Sequence, residues 1–452
     1  MVATAARGTI GRKSSGDGPN RTIRKPSTRP GDGDRISALP DDIIHIIFRS
    51  LPFHDAVKTS VLSKRWRSTW TTTTTHLAFD GNIGKPFHDT LYFTSFVRSI
   101  RTRFTSPNVK RFHVTNLTYY EFVRSKLDSC LSFVKERNVE EIRLWLSTRF
   151  LCGLPASLYC FSSLVSLEVS SCRFSLDGTI SWPRLKVLSF ERVVLSEDVL
   201  KGIFMASPLL ESLKLCECSS LKNIIIDATS LKELVLVAIN YFNVKKIWAP
   251  HLLSLRVSGD WWPISQFRLD DVSSLVEAQL DFVFHTDVVN DDIRTDDMRI
   301  RREFVKELFE KLRGVRTITI NGWCLQALSV LEMEEAPSLL SKCQNLILHA
   351  GVSQWDLPGI AYMLRSSQCL EKLDILLTGD CCPKLELDEE SKERFNFDEE
   401  DFLCSRKGSF QHLAENLKRV EIAGSEAHSS GSKYLHALIK FILGDIHLCW
   451  RR

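Results

Sequence analysis

The chain has 452 residues, 44% hydrophobic and 25% charged, a globular balance that excludes wholesale disorder. Its formal net charge of +4 is concentrated at one end: Arg7, Arg12, Lys13, Arg21, Arg24, Lys25 and Arg29 outnumber Asp17 and Asp32 over residues 1–33, leaving the remainder near −1. A body with that balance presents no basic nucleic-acid face, and its apolar runs break short of the roughly 18 residues that a membrane-spanning helix needs. Neither nucleic acid nor membrane is therefore an expected partner.

Residues 1–33 are rich in Gly, Ser, Pro, Thr and Arg and contain no apolar stretch of the signal-peptide kind. They read as a disordered basic leader, with organelle targeting or nuclear localisation as alternatives. The 13 cysteines include no C-x-x-C pair. Structural zinc and a disulfide framework are not expected, and the thiols read as reduced and mostly buried in a nuclear or cytoplasmic protein.

Composition changes at Asp34. Pro40 suits the first position of a helix, Asp41 and Asp42 favour its positive end, and Ile43, Ile46 and Ile47 repeat at helical spacing. Leu51-Pro52 ends it. A second helix is predicted from an N-cap at Asp55, with Leu62, Trp66 and Trp70 stacked four residues apart. Thr71–Thr75 reads as extended chain leading to a strand near His76–Phe79, because β-branched residues disfavour helix. A pair of helices this short cannot hold a robust core alone, so it should lean on a partner or on the rest of the chain.

The stretch Asp34-Arg35-Ile36-Ser37-Ala38-Leu39-Pro40-Asp41, with Ala56-Val57 through Ser63-Lys64-Arg65-Trp66-Arg67 to Trp70, resembles the plant F-box. The resemblance implies docking to the Skp-type adaptor of cullin-based ubiquitin ligases. By the same resemblance, Leu39, Pro40, Ile43, Ile47, Val61, Ser63, Lys64 and Trp66 lie at or near the contact. An apolar anchor cluster with a short polar rim suits such an interface. Leu62 and Trp70 read as local core.

From about residue 110 the chain repeats a phrase L-x-x-L-x-φ, where φ is apolar. Copies start at Leu164, Leu185, Leu210, Leu231 and Leu252, in steps of 21, 25, 21 and 21 residues, inside the leucine-rich-repeat range. A weaker copy starts at Leu275. Wider spacing separates those at Val315, Cys343, Leu370 and Leu417, and an earlier copy covers Val139–Leu146. Ten or eleven strands follow, stacked into a curved solenoid with a parallel sheet, because no repeat covers its own apolar side. Glu168, Lys214 and Glu233 should point outward on the face used for partner recognition.

Ser207-Pro208-Leu209-Leu210-Glu211-Ser212-Leu213 and Leu364–Leu373 are similar to repeat phrases of the plant F-box/LRR/FBD-type family. Residues Phe410–Leu443 are similar to part of its C-terminal FBD region. The predicted fold class is α/β: a small helical F-box, then an irregular leucine-rich-repeat solenoid with a parallel β-sheet. The predicted segments are 1–33 leader, 34–80 F-box, 110–380 repeats, 381–408 acidic loop and 409–452 partial FBD-like region. Acidic inserts at 285–301 and 386–401 lack the glycine of a calcium loop and read as loops, the first followed by a helix over Arg302–Leu312.

Phosphate-binding, G-x-S-x-G and H-E-x-x-H signatures are not found, and no cofactor is expected. The resemblance implies a non-catalytic substrate-recognition subunit of a Skp–cullin–F-box ubiquitin ligase, reaching cullin through the adaptor and holding an unknown protein substrate on the repeats. The alternative is an interaction scaffold that uses the same F-box and repeats without promoting degradation.

Overall fold

A computed structural model describes residues 39–82, 89–147, 152–175, 178–238, 244–260, 267–283, 294–340, 342–378, 393, 395–424 and 432–445. The basic leader, most of the first acidic insert and residues 381–392 lie outside the described residues.

The chain opens with helix α1 (Asp41–Ser50). Pro40 occupies the cap position rather than the first turn, and its carbonyl takes the first helical hydrogen bond from Ile44 N at 3.1 Å. Helix α2 (Phe53–Lys58) follows Pro52 and runs into a 3-10 turn at Thr59–Val61. Helix α3 covers Lys64–Thr73. The single helix predicted from Asp55 is thus two, starting at Phe53 and broken at Leu62–Ser63. Ser63 is extended, at φ −162° and ψ 170°, and its hydroxyl accepts from Trp66 N, a capping bond that restarts the helix. Leu62 therefore does not stack with Trp66 and Trp70.

The first three threonines of the run also depart from expectation, since they finish α3. Their hydroxyls donate back along the helix, Thr71 to Ser68 O at 2.5 Å and Thr73 to Thr69 O at 2.7 Å, which removes the competition of a free hydroxyl for the backbone. Extended chain begins at Thr74.

Strand β1 (His76–Asp80) appears where the sequence places it. It is the edge of a sheet of thirteen parallel strands. Helix α4 (Asp89–Arg103) leads to β2 (Arg111–Thr118), and α5 (Glu121–Lys135) leads to β3 (Glu141–Ser147). Next come β4 (Ser166–Arg173), β5 (Val187–Val194), α6 (Glu197–Ala206) and β6 (Ser212–Cys216). Three short strands, β7 (Asn223–Ile225), β9 (Lys246–Trp248) and β11 (Arg268–Leu269), form a second small sheet. They alternate with β8 (Glu233–Ala238), β10 (Ser254–Asp260) and β12 (Glu277–Val283) of the main sheet.

From there helices fill the returns. The order is α7 (Arg294–Lys311), β13 (Thr317–Asn321), α8 (Gly322–Met333), β14 (Asn345–Ala350), α9 (Leu357–Ser366) and β15 (Lys372–Leu377). Helix α10 (Glu399–Ser405), α11 (Gln411–Asn416), β16 (Arg419–Gly424) and α12 (Ser432–Asp445) complete it.

The repeat phrase is the packing unit. Its second leucine and following apolar residue point inward and stack in register: Leu167 on Leu188 on Leu213, and Val169 on Phe190 on Leu215, all buried. The leading leucines Leu164, Leu185, Leu210, Leu231 and Leu252 are buried as well. Each strand entry is tied to the previous turn by the same bond, such as Lys186 N to Val165 O at 2.8 Å and Glu211 N to Lys186 O at 2.9 Å. The apolar side of one coil is covered only by the next.

Wide spacing in the second half has a physical cause. Helix α8 is apolar on almost every side and nearly all buried, wedged between the sheet and helices α7 and α9. The helices α7, α8 and α9, ten or more residues each, fill the returns from β12 to β15, whereas the returns from β6 to β12 hold, among the described residues, only the short strands β7, β9 and β11. Helix α7 begins at Arg294, inside the insert read as a loop, so it exceeds the predicted Arg302–Leu312. Part of the second acidic run is likewise a helix start: Asp398 caps α10, accepting from Glu400 N and Asp401 N at 3.0 Å each. The buried carboxylate of Glu332 binds Arg365 at 2.9 Å and Arg406 at 2.8 Å, joining α8 to α9 and the C-terminal helices.

The helical module is fused to the solenoid. Phe53 meets Trp70 and Phe96 edge-on, Phe79 meets Phe93 and Phe96, and Trp70 lies against Phe104. The module therefore caps β1 and α4, which answers its need for outside support.

Candidate functional site: two partner-binding faces

Helix α1 is apolar on two sides, and the structure divides them. Ile44 and Phe48 turn inward, one helical turn apart, and Phe48 packs against Trp66 with ring centroids 5.3 Å apart. Ile43 and Ile46 turn outward, 43% and 58% exposed. Beyond the helix break, Val61 and Leu62 are 87% and 48% exposed. Four large apolar side chains in one small module remain open to solvent, an uncommon concentration for a surface that meets only water.

The predicted contact residues sort accordingly. Pro40, Ile43, Val61 and Lys64 are exposed; Leu39, Ile47 and Ser63 are half-buried. Trp66 is only 3% exposed and supports α1 from beneath. The patch is held in shape by Arg65, whose guanidinium donates to Leu39 O and to the Asp41 carboxylate. The bond and charge of Arg65 keep the Asp41 carboxyl below its ordinary pKa. Sequence reasoning missed the exposure of Leu62, assigned to local core, and named Ile46 on the apolar face of the helix without placing it at the contact. Ile46 lies three residues from Ile43 on the same helical face, a signal that was available.

The second face is the outward side of the long sheet. Glu168, Lys214 and Glu233 lie on it as expected, Lys214 exposed and the two glutamates half-buried. Glu168 is engaged by Arg143 in a two-pronged pair at 2.7 and 3.0 Å, and Glu233 accepts from Ser212 Oγ at 2.7 Å. At the N-terminal end His76 meets His113 at 3.3 Å, and His113 meets Glu141 at 2.7 Å. Burial, helped by neighbouring His113 and Arg111, pushes the His76 pKa down to about 4. Burial also lowers that of His113, against the pull of Glu141. Beside them Trp145 is 45% exposed on β3, with the Arg143 guanidinium 5.1 Å from its ring centre. Its signal was an aromatic residue at an outward position between Leu144 and Leu146.

Burial pushes the thiols of Cys130 and Cys218 up to about 12, which leaves them protonated at neutral pH. Among the described residues, no group of three or more His, Cys, Asp or Glu is placed to hold a metal ion, and no helix is long and apolar enough to cross a membrane.

Comparison with known proteins agrees with this division. An F-box domain model matches residues 36–76. A model described as FBD-associated F-box protein At5g56370, LRR repeats, matches residues 127–277. The chain is 30% identical over 368 residues to F-box/LRR-repeat protein At3g03360 of Arabidopsis thaliana, covering 78% of this chain and 73% of that one. It is 32% identical over 355 residues to F-box/LRR-repeat protein At5g02910 of the same plant, covering 76% and 72%. F-box protein At5g03100 is 30% identical over 310 residues, 68% of this chain and 94% of the relative. With an F-box capping a leucine-rich-repeat solenoid and relatives alike over most of their length, the chain belongs to the plant F-box/LRR-repeat family.

Proposed function

We propose that this protein is the substrate-recognition subunit of a Skp–cullin–F-box ubiquitin ligase. The observation that carries the reading is the exposure of four large apolar side chains, Ile43, Ile46, Val61 and Leu62, in one small module whose Pro40, Asp41, Asp42 and Lys64 are also exposed. The opposite side of α1 is committed to Trp66 of α3, and Phe53 and Trp70 carry the module onto the solenoid, so the exposed side chains are left for a separate chain. We assign them to a Skp-type adaptor, with Leu39, Ile47 and Ser63 at the margin of the contact and Trp66 behind it. Cullin is reached through the adaptor. The segment boundaries proposed above follow the same division, and the setting is the nucleus, the cytoplasm or both.

The subunit itself carries out no bond chemistry. It holds the target protein on the sheet face, so that a target lysine meets the ubiquitin-loaded enzyme at high effective concentration. Co-purification with a Skp-type adaptor tests this. The wild-type chain is expected to bind, and an Ile46→Asp/Val61→Asp pair to lose binding while keeping its melting temperature. A folded wild-type chain that leaves the adaptor unbound refutes it. The scaffold reading uses both faces too, and ubiquitin transfer to a captured protein in a reconstituted complex separates the two.

A further inference from the structure

Beside Trp145 the outward face holds a pocket of about 400 Å³, within the size range of side-chain and small-ligand sites. Its construction follows from strand register. Trp145, Ser170 and Glu191 are direct neighbours on β3, β4 and β5. The outer two stand about 9–10 Å apart across the small residue between them. Ser170 forms the floor and is locked there, its hydroxyl accepting from Leu146 N at 3.1 Å and donating to Leu146 O at 3.4 Å. The next residues, Ser171 and Arg192, adopt left-handed backbone at φ 54° and 51°, which interrupts the strand pairing at the pocket's rim. Arg192 then reaches back, its Nε 3.3 Å from Ser171 Oγ and its guanidinium 2.6 Å from Glu191.

One wall is thus the Trp145 indole, against which Arg143 lies, and the other is the Glu191 carboxylate, which pairs with Arg192 at the rim, with a hydroxyl floor; an incoming cation shares the carboxylate with Arg192. An indole face attracts a cation, and a carboxylate pairs with one. The surrounding face agrees in sign. Three outward rows run in register from His76, Ala78 and Asp80 to Arg419, Glu421 and Ala423, and they carry nine carboxylates against six Lys or Arg, with Arg192 at the pocket rim a seventh cation outside the rows. His76 and His113, with their lowered pKa values, add no positive charge at neutral pH.

We propose that the Trp145 pocket takes a lysine or arginine side chain carried on an extended basic segment of the protein recruited to this face. The aliphatic stem crosses Ser170, and the cationic head lies between the indole and Glu191. The inference rests on the reading of the solenoid as the recruiting face, and adds to it the chemistry of what is recruited.

The test uses the full chain, as purified with or without adaptor, and nonapeptide pools whose central residue is fixed as Arg, Lys, citrulline, Leu or Glu. Binding is read by fluorescence anisotropy at low and high salt. Arg- or Lys-centred pools should bind about tenfold more tightly than citrulline or Glu pools, the difference shrinking in salt. Trp145→Ala and Glu191→Gln should each erase most of that preference, and Trp145→Phe should keep part of it. Both side chains are exposed, so an unchanged melting temperature shows that the variants fold. Equal binding of Arg and citrulline pools, a preference for Glu or Leu, or wild-type behaviour of Trp145→Ala overturns the proposal. Adaptor co-purification from the same preparation separates the two readings. Adaptor binding without basic preference removes only the pocket assignment; basic preference without adaptor binding removes only the ligase reading.

Discussion

Helices α8 and α9 touch backbone to backbone at Gly359, and that contact sets a measurable stability. A Cβ added there would lie 2.1 Å from Leu325 O, 2.8 Å from Leu325 C and 2.9 Å from Ser329 Oγ. A carbon needs about 3.3 Å from a carbonyl oxygen, so Gly359→Ala forces the helices apart by roughly 1 Å. Overpacking of this kind costs about 1–3 kcal/mol, and here the obstruction is backbone, which cannot swing aside. The shift also weakens the bond from Gly359 N to Ser329 Oγ, 2.7 Å long, for about 1 kcal/mol more. Better helix propensity of alanine returns up to about 1 kcal/mol. The net loss is about 1–4 kcal/mol, or a fall in melting temperature of about 2–16 °C for a cooperative unit of some 200 residues. Thermal melts followed by circular dichroism measure it, with Gly314→Ala as control. No atom lies within 4 Å of a Cβ at Gly314, so that change should stay within about 0.5 kcal/mol. A Gly359→Ala protein that melts with the wild type would show that the two helices are not in this contact.

Val61→Asp should abolish adaptor capture without lowering the melting temperature, whereas buried Trp66→Ala should destabilise the chain by about 3–5 kcal/mol; a pull-down and a melt on each variant distinguish an interface residue from a core residue. Ser63→Ala removes the cap that restarts α3 and should cost about 1 kcal/mol in denaturant titration, and no loss would show that the break is held by other means. His76 is harder to protonate folded than unfolded, so its contribution is complete above pH about 6.5 and is lost as pH falls toward 4. His76→Gln should therefore lose less stability than wild type between pH 7 and 5, and parallel pH profiles would refute the assignment.

Much of the solenoid was legible because the phrase L-x-x-L-x-φ is local: alternate residues of one short strand must point the same way whatever surrounds them. All eleven phrase copies became strands. Strand β2 escaped because Val109-Lys110-Arg111-Phe112-His113-Val114 keeps the apolar positions but contains no leucine. The break at Ser63 was less legible, since one capping hydroxyl overrode a helical pattern that continues on both sides. The F-box signature identified the N-terminal helical module through resemblance, not through its geometry.

Local pattern by itself determined the repeat phase and the parallel sheet, because each depends on residues a few positions apart. Tertiary structure alone decided which apolar face of α1 packs on Trp66 and which stays open. It also decided that α8, apolar all round, is enclosed by two other helices, and that Trp145 stands above Ser170 opposite Glu191. These outcomes depend on residues tens of positions apart in sequence. Their relative placement is set by strand stacking and by what remains uncovered once the core has closed.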